Sequence, residues 1–179
     1  MRRSNSLRRP RAALARLLVG ALLASAALTV SAKWGHPETV VADRVVIVKS
    51  KRSMKLLANG KVLKAYRISL GRTPLGHKQC EGDNRTPEGL YTVIEHKGDS
   101  AYHLALRLSY PGPNDVSAAV AKGCAPGGNI MIHGLGTESW IKRVHLLRDW
   151  TQGCIALTND EIEEVWELVP DGTIVEIQS

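Results

Sequence analysis

Short apolar runs set apart by turn residues predict a mainly β fold: a single, mostly antiparallel sandwich or barrel-like domain with two or three short helices. Three observations lead there. Asn59-Gly60 divides two apolar runs, a strong hairpin signal. Tyr102–Tyr110 (YHLALRLSY) alternates strictly, with Leu104, Leu106 and Leu108 on one face and His103, Ala105, Arg107 and Ser109 on the other. The strand-like runs also lack the regular helical spacing of a parallel βαβ sheet. The 179 residues suffice for one hydrophobic core. Phe is absent, so that core rests on Val, Ile and Leu with a few Trp and Tyr.

Taken in order, Arg44–Lys49 is a β-branched run and a strand. Ser53–Ala58 and Lys61–Leu70 flank the Asn-Gly turn. Val62, Ala65 and Ile68 break the alternation, which marks a bulge or a sheet edge. Gly71–Gly89 holds almost no apolar residues and reads as a long loop; loops of that length are usually functional. Leu90–Glu95 resumes a strand, and Tyr102–Tyr110 is a half-buried one. Asn114-Asp115 caps a short helix, Val116–Lys122, which Gly123 closes. Asn129–His133 is a strand that delivers His133 to Gly134. Glu138–Leu147 has the length of a short helix. Thr158 and Glu161 form a capping box for a helix from Asn159 to about Leu168, with Ile162, Val165, Trp166 and Val169 as its apolar stripe. Pro170-Asp171-Gly172 turns the chain into a last strand, Thr173–Ile177. The count is six or seven strands.

The N-terminus differs in kind. Arg2, Arg3, Arg8, Arg9, Arg11 and Arg16 precede an apolar stretch, Leu17–Val30, and small residues at Ser31 and Ala32. This is the pattern of a secretory signal, with cleavage expected after Ala26 or Ala32. The stretch is short for a spanning helix, which takes about 20 residues, so an uncleaved anchor is the alternative and the sole expected link to a membrane. Residues 1–32 are thus a signal peptide or anchor, 33–42 a linker and 43–179 the working domain, placed outside the cytoplasm. The net charge of +7 belongs to the leader. Without its six arginines, 18 basic face 17 acidic residues. A near-neutral body argues against nucleic-acid binding, which needs positive charge on the folded domain.

Three cysteines outside the cytoplasm leave a free thiol or an intermolecular bond. Pairing of Cys80 with Cys124 would leave Cys154 free. Cys154 follows Gly153, where the absence of a Cβ lets a substrate approach the backbone. Neighbouring N–H groups then have the makings of an oxyanion hole. A thiol is a slow nucleophile until a base helps it, and His133, at the end of a strand and before Gly134, is the candidate.

His133-Gly134 followed by Trp150-Thr151-Gln152-Gly153-Cys154 resembles the signature of the YkuD-type L,D-transpeptidases: His-Gly, a spacer, then Ser/Thr-His-Gly-Cys, an apolar residue, and Arg or Asn. Asn59-Gly60, Ser69-Leu70-Gly71 and Thr86-Pro87-Glu88-Gly89-Leu90-Tyr91 fall where that family carries its hairpin and upstream motifs. Gly76-His77-Lys78, Glu81-Gly82-Asp83 and Arg85–Gly89 resemble a Gram-negative subgroup. The resemblance spans roughly Arg44–Ile177.

The resemblance implies a periplasmic enzyme in which Cys154 attacks the diaminopimelate carbonyl of a peptidoglycan stem tetrapeptide, expelling D-Ala and forming a thioester. His133 is the implied general base and acid. Gly153, Gln152 and Thr151 are the implied oxyanion and positioning residues, with the N–H groups of Gly153 and Cys154 as donors. Gly134, Trp150, Arg85, Arg107 and Arg148 are the candidate substrate-binding residues. A second stem, a wall-anchored protein or water would be the acceptor. Two positions depart from the pattern. Gln152 stands where a second His is common, and Gln cannot take a proton near neutral pH. Ala156 stands where Arg or Asn is usual, so Arg85, Arg107 and Arg148 are its candidate substitutes for gripping a substrate carboxylate. Trp140 and Trp150 either wall a cleft or fill the core.

No cofactor is expected, because a thiol and an imidazole suffice for acyl transfer. No metal site is expected either. Cys124, His133, His145 and Cys154 include zinc-ligand types, without zinc-site spacing. The rival readings are a hydrolase of the same fold, an L,D-endopeptidase or carboxypeptidase, and a non-catalytic peptidoglycan-binding domain.

Overall fold

The structure is a computed structural model that describes residues 40–137 and 139–179. The expected leader and most of the expected linker lie outside the described residues. The rest is a mainly β domain of eight strands and three α-helices.

The first half of the sheet follows the hairpin signal. Strand β1 (Arg44–Val48) pairs antiparallel with β2 (Ser53–Ala58), which pairs antiparallel with β3 (Lys61–Arg67) across the Asn59-Gly60 turn. Both turn residues have positive φ, 51° and 74°. The broken alternation of β3 is a bulge. Leu56 faces Lys64 but Leu57 faces Val62, so Leu63 is the extra residue, and it turns to pack on the core. Strand β4 (Gly89–Ser100) bridges the two halves. Its first residues, Gly89–Thr92, pair with the C-terminal strand β8 (Ile174–Gln178), and the remainder pairs with β5 (His103–Leu108). Strand β6 (Met131–His133) lies beside β5, and the two-residue β7 (Ile155–Ala156) beside β6. The order is β3-β2-β1-β8-β4-β5-β6-β7. Pairing is antiparallel except for β1 with β8 and β6 with β7.

The chain leaving β3 then closes the structure on itself. Ser69 exchanges two backbone hydrogen bonds with Ala156, at 3.0 and 2.9 Å, and Leu70 and Arg72 bond to Thr151. The continuation of one edge strand therefore meets β7 at the other edge, which leaves fewer unpaired backbone groups. Ile47, Leu56, Ile68, Leu106, Ile132, Ile155 and Val175 fill the interior.

The helices lie near where the sequence placed them: the first starts three residues before the expected Val116, and the second stops at Val144 instead of Leu147. Helix α1 (Pro113–Ala121) begins earlier than expected: Asp115 caps it from the third helical position, accepting the Gly112 N–H at 2.7 Å, instead of preceding the helix. Helix α2 (Ser139–Val144) links β6 to β7. Helix α3 (Asn159–Leu168) carries the Thr158–Glu161 capping box, and Ile162 and Val165 are fully buried beneath it. Strand β7 escaped the sequence reading because two residues have no period. Among the described residues no helix is long and apolar enough to cross a membrane.

Candidate active site

Cys154 enters the sheet one residue before β7, and His133 is the last residue of β6. The parallel register sets Ile132 beside Ile155 and His133 beside Ala156, so Cys154 falls level with Met131, two residues short of His133 and, by the two-residue alternation of strands, on the same face. Gly153 explains how the chain gets there. Its φ is +133°, and a Cβ would stand 2.7 Å from the Arg85 carbonyl oxygen. Gly71 crosses at the same point, with its own Cβ position 3.0 Å from the Gly153 Cα. The long loop is thus laid directly over the cysteine turn. Thr86, fully buried, fixes that loop by accepting the Gly71 N–H at 3.1 Å. Buried Lys49 ties its far side, donating to Gly76 O, Thr86 O and Glu88 at 2.6–2.9 Å. A disulfide between Cys80 and Cys124 joins the loop to the end of α1, leaving Cys154 as the free thiol.

Thr151 closes the turn. Its hydroxyl donates to the Cys154 carbonyl at 2.7 Å and accepts the Gly153 N–H at 3.1 Å. This corrects one expectation: the Gly153 N–H is engaged by Thr151 and is not an open oxyanion donor. Among the described residues the Cys154 N–H has no acceptor, so it keeps that capacity.

His133 is buried. Its Nδ1 lies 2.6 Å from the Gly134 carbonyl. A carbonyl only accepts, so Nδ1 carries the proton in the neutral ring and the Nε2 lone pair is left for another partner. Tyr102 stacks on the imidazole at 4.6 Å between centroids, and Trp150 meets it edge-on at 5.7 Å. Burial pulls the His133 pKa down to about 4, against the Gly134 hydrogen bond, which raises it. Burial likewise pushes the Cys154 thiol up, opposed by a Met131 backbone hydrogen bond and the charge of Lys78. The resting pair at neutral pH is therefore thiol and neutral imidazole. The Cys154 thiol contacts the Asn129 carbonyl at 3.5 Å.

Two clefts meet at Cys154. One, of about 280 Å³, is lined by Lys78, Glu81, Asn129, Gln152 and Cys154. The other, of about 250 Å³, is lined by Arg72, Tyr102, Trp140, Trp150, Gln152 and Cys154. Exposed Gln152 is on the ridge between them. Gly134 lies away from both: a Cβ there would press on Asn159, Tyr102 and Ile162 within 2.9 Å, so it serves close packing and not substrate contact. Arg85 reaches outward to the His77 carbonyl, and Arg107 pairs across β4–β5 with Glu95 at 2.6 Å; neither lines a cleft at Cys154. Arg148 lines an adjoining cavity with Arg72, Trp140 and Trp150. Trp150 is core and wall at once, buried but bordering the cleft, whereas Trp140 is 42% exposed. Arg72 and Tyr102 are the cleft residues that sequence reasoning missed as site residues. Arg72 lay in a loop with no local pattern, and Tyr102 read as the start of a strand.

This β domain, with a cysteine turn at the meeting of two clefts and a buried histidine ending the neighbouring strand, belongs to the family of YkuD L,D-transpeptidase catalytic domains, whose model matches residues 42–177. YafK of Escherichia coli (strain K12), which bears the L,D-transpeptidase name, is 29% identical over 131 residues, 70% of this chain and 46% of its own. YqjB of Bacillus subtilis (strain 168), similarly named, is 26% identical over 160 residues, 86% of this chain and 82% of its own. The helical cell shape determining protein Pgp2 of Campylobacter jejuni, a K307A mutant, superposes with a TM-score of 0.56 at 25% identity, over 78% of this chain and 47% of its own. The chain spans about half the length of YafK and of that Pgp2 structure.

Proposed function

We propose that this protein is a cysteine-dependent L,D-transpeptidase acting on peptidoglycan stem peptides outside the cytoplasm. The observation that carries the reading is the lone free thiol, Cys154, where two clefts meet, next to a strand that ends in a buried neutral His133 with its Nε2 lone pair available. In the first half-reaction His133 Nε2 takes the thiol proton as Sγ attacks the diaminopimelate carbonyl carbon. The Cys154 N–H donates to the oxygen as it gains charge. The carbon–nitrogen bond to D-Ala breaks, and the His133 proton passes to the leaving amine. In the second, an acceptor amine on another stem or on a wall-anchored protein attacks the thioester. Its proton goes to His133, and the thiol is restored. Nothing in these steps needs a cofactor.

Intact mass after incubation with a tetrapeptide stem tests the reading. The expected result is an adduct lighter than the stem by one D-Ala, absent in Cys154→Ala. Release of D-Ala by Cys154→Ala would falsify it. Gln152 on the ridge favours a second outcome, because it cannot shuttle a proton to an amine acceptor: water takes the acyl group and the enzyme hydrolyses existing links. Muropeptides from treated sacculi separate the two, with new dimers marking transfer and lost dimers marking hydrolysis. Retention on sacculi without any covalent adduct would mark a binding domain instead. The Arg-rich leader and the Cys80–Cys124 disulfide both support an exported location.

A further inference from the structure

Ala156 stands where the family usually has Arg or Asn, and the structure closes that position to a longer side chain. Ala156 is fully buried, packed with Leu135, Ile141 and Trp150. A cation for a substrate carboxylate must come from elsewhere. The cleft on the Lys78 side offers little free charge, since Lys78 is buried and paired with Asp83 at 2.8 Å. On the other side stands Arg72. Its side chain is exposed, and its Nε donates to the Trp150 carbonyl at 3.1 Å. That bond aims the guanidinium along the cleft wall and leaves both Nη groups for a ligand. Among the described residues Arg72 has no carboxylate partner. Arg72 also lines the adjoining cavity with Arg148 and Asp149, and the Asp149 carboxylate is already held by Arg52 at 2.7 Å and by the Leu70 N–H at 2.9 Å.

We propose that Arg72 forms a carboxylate-binding subsite beside Cys154, and that it selects stems whose second diaminopimelate carboxylate is free over stems in which it is a carboxamide. The inference rests on the proposed function for the identity of the peptide. The chemistry follows from the fork of a guanidinium, which takes a carboxylate in two parallel hydrogen bonds and has nothing equivalent to offer an amide's NH₂. Ala156 thus marks a relocation of the cation, from the strand after the cysteine to the chain that follows β3. The two positions are close because Ser69 and Gly71 bridge to Ala156 and Thr151.

The test uses two tetrapeptide stems, one with the free carboxylate and one with the carboxamide, and two readouts. Acylation of Cys154 gives kcat/KM for each, and calorimetric binding to the Cys154→Ala protein gives affinity without chemistry. The wild type is expected to favour the carboxylate by roughly 10- to 100-fold, the range of one charge-assisted pair. Arg72→Gln is expected to erase that preference through KM, with kcat little changed. Arg72→Lys is expected to recover part of it, and an unchanged melting temperature shows that the variants fold. Acylation that proceeds with the same carboxylate preference in Arg72→Gln overturns the subsite and leaves the proposed function standing. A wild type that never acylates, while its Cys154→Ala form still prefers the carboxylate through Arg72, overturns the proposed function and supports the subsite. Absence of both acylation and preference overturns both.

Discussion

The carbonyl oxygen of Arg85 occupies the space beside Gly153 that any side chain at that position would need, 2.7 Å from an ideal Cβ. Loop and cysteine turn are therefore a single packed unit, and the position of Cys154 depends on a residue 69 places earlier in the chain. Because Gly153 also has φ of +133°, Gly153→Ala meets both a backbone clash and a disfavoured conformation. The expected cost is about 2–4 kcal/mol of stability. Alkylation of Cys154 should also lose its dependence on His133. Thermal melts and thiol-labelling rates check this; an Ala variant with native melting and native acylation would show that the loop yields freely.

Lys49 lies far from Cys154 in sequence yet fixes the same loop. It is 2% exposed and donates to two carbonyls and to Glu88. Lys49→Met keeps the length and removes the three donors, leaving two carbonyls and a partly exposed carboxylate without their partner. A loss of about 2–3 kcal/mol is expected, tempered by water reaching Glu88. Faster hydrogen exchange across residues 76–88 would accompany it. Unchanged exchange there would detach Lys49 from the loop's order.

The disulfide acts on the other wall. Cys80–Cys124 closes a span of 44 residues, and next to it Glu81 N–H donates to the Ala125 carbonyl at 2.8 Å. Cys80→Ser with Cys124→Ser should lower stability by about 4 kcal/mol through the freed unfolded chain. Glu81 and Lys78 line the cleft at Cys154, so acylation should slow as well. Denaturant melts of the double variant against the oxidised protein measure the first effect. Equal midpoints would mean the bond constrains little.

These dependences explain what could be read in advance. The Asn59-Gly60 hairpin, the alternation of β5 and the Thr158–Glu161 box are local devices, and local devices leave periodic or positional traces in a sequence. Cys154 and His133 stood out because their neighbours follow a recognisable order. Arg72, Tyr102 and the Gly71–Gly153 crossing left no such trace. Each matters through what lies across the fold, and the two residues of β7 are too few to show a period. Thr151 is the instructive case: a hydroxyl beside the cysteine suggested a positioning role, but only its two hydrogen bonds reveal that it takes up the Gly153 N–H.

The His133 pKa also governs stability. Its folded value is about 4, below the ordinary 6.5, so between those pH values the unfolded chain binds a proton that the folded one refuses. Stability is full above pH 6.5 and falls as pH drops toward 4, by about 3 kcal/mol at most. His133→Gln should flatten this slope. Urea midpoints at pH 7.0, 5.5 and 4.5 for both proteins give the comparison, and parallel curves would assign the slope to other groups.

Tyr102 shields that imidazole, and its removal should therefore be read in pH and not only in rate. Tyr102 is 39% exposed as a residue, and its ring stacks 4.6 Å from that of His133. In Tyr102→Ala water reaches the imidazole, the burial that holds its pKa down weakens, and the value moves up toward 6.5. Two consequences follow from the sign. At pH 6 a larger share of His133 becomes protonated and cannot accept the Cys154 proton, so acylation should fall several-fold there. Above pH 7.5 the ring is neutral in both proteins and the rates should converge. Tyr102→Phe retains the stacked ring and should behave as wild type across the range. The acid limb of the acylation profile, with NMR titration of the His133 ring beside it, measures the shift; an acid limb that stays in place in Tyr102→Ala while the rate falls equally at every pH would reduce Tyr102 to a wall of the cleft.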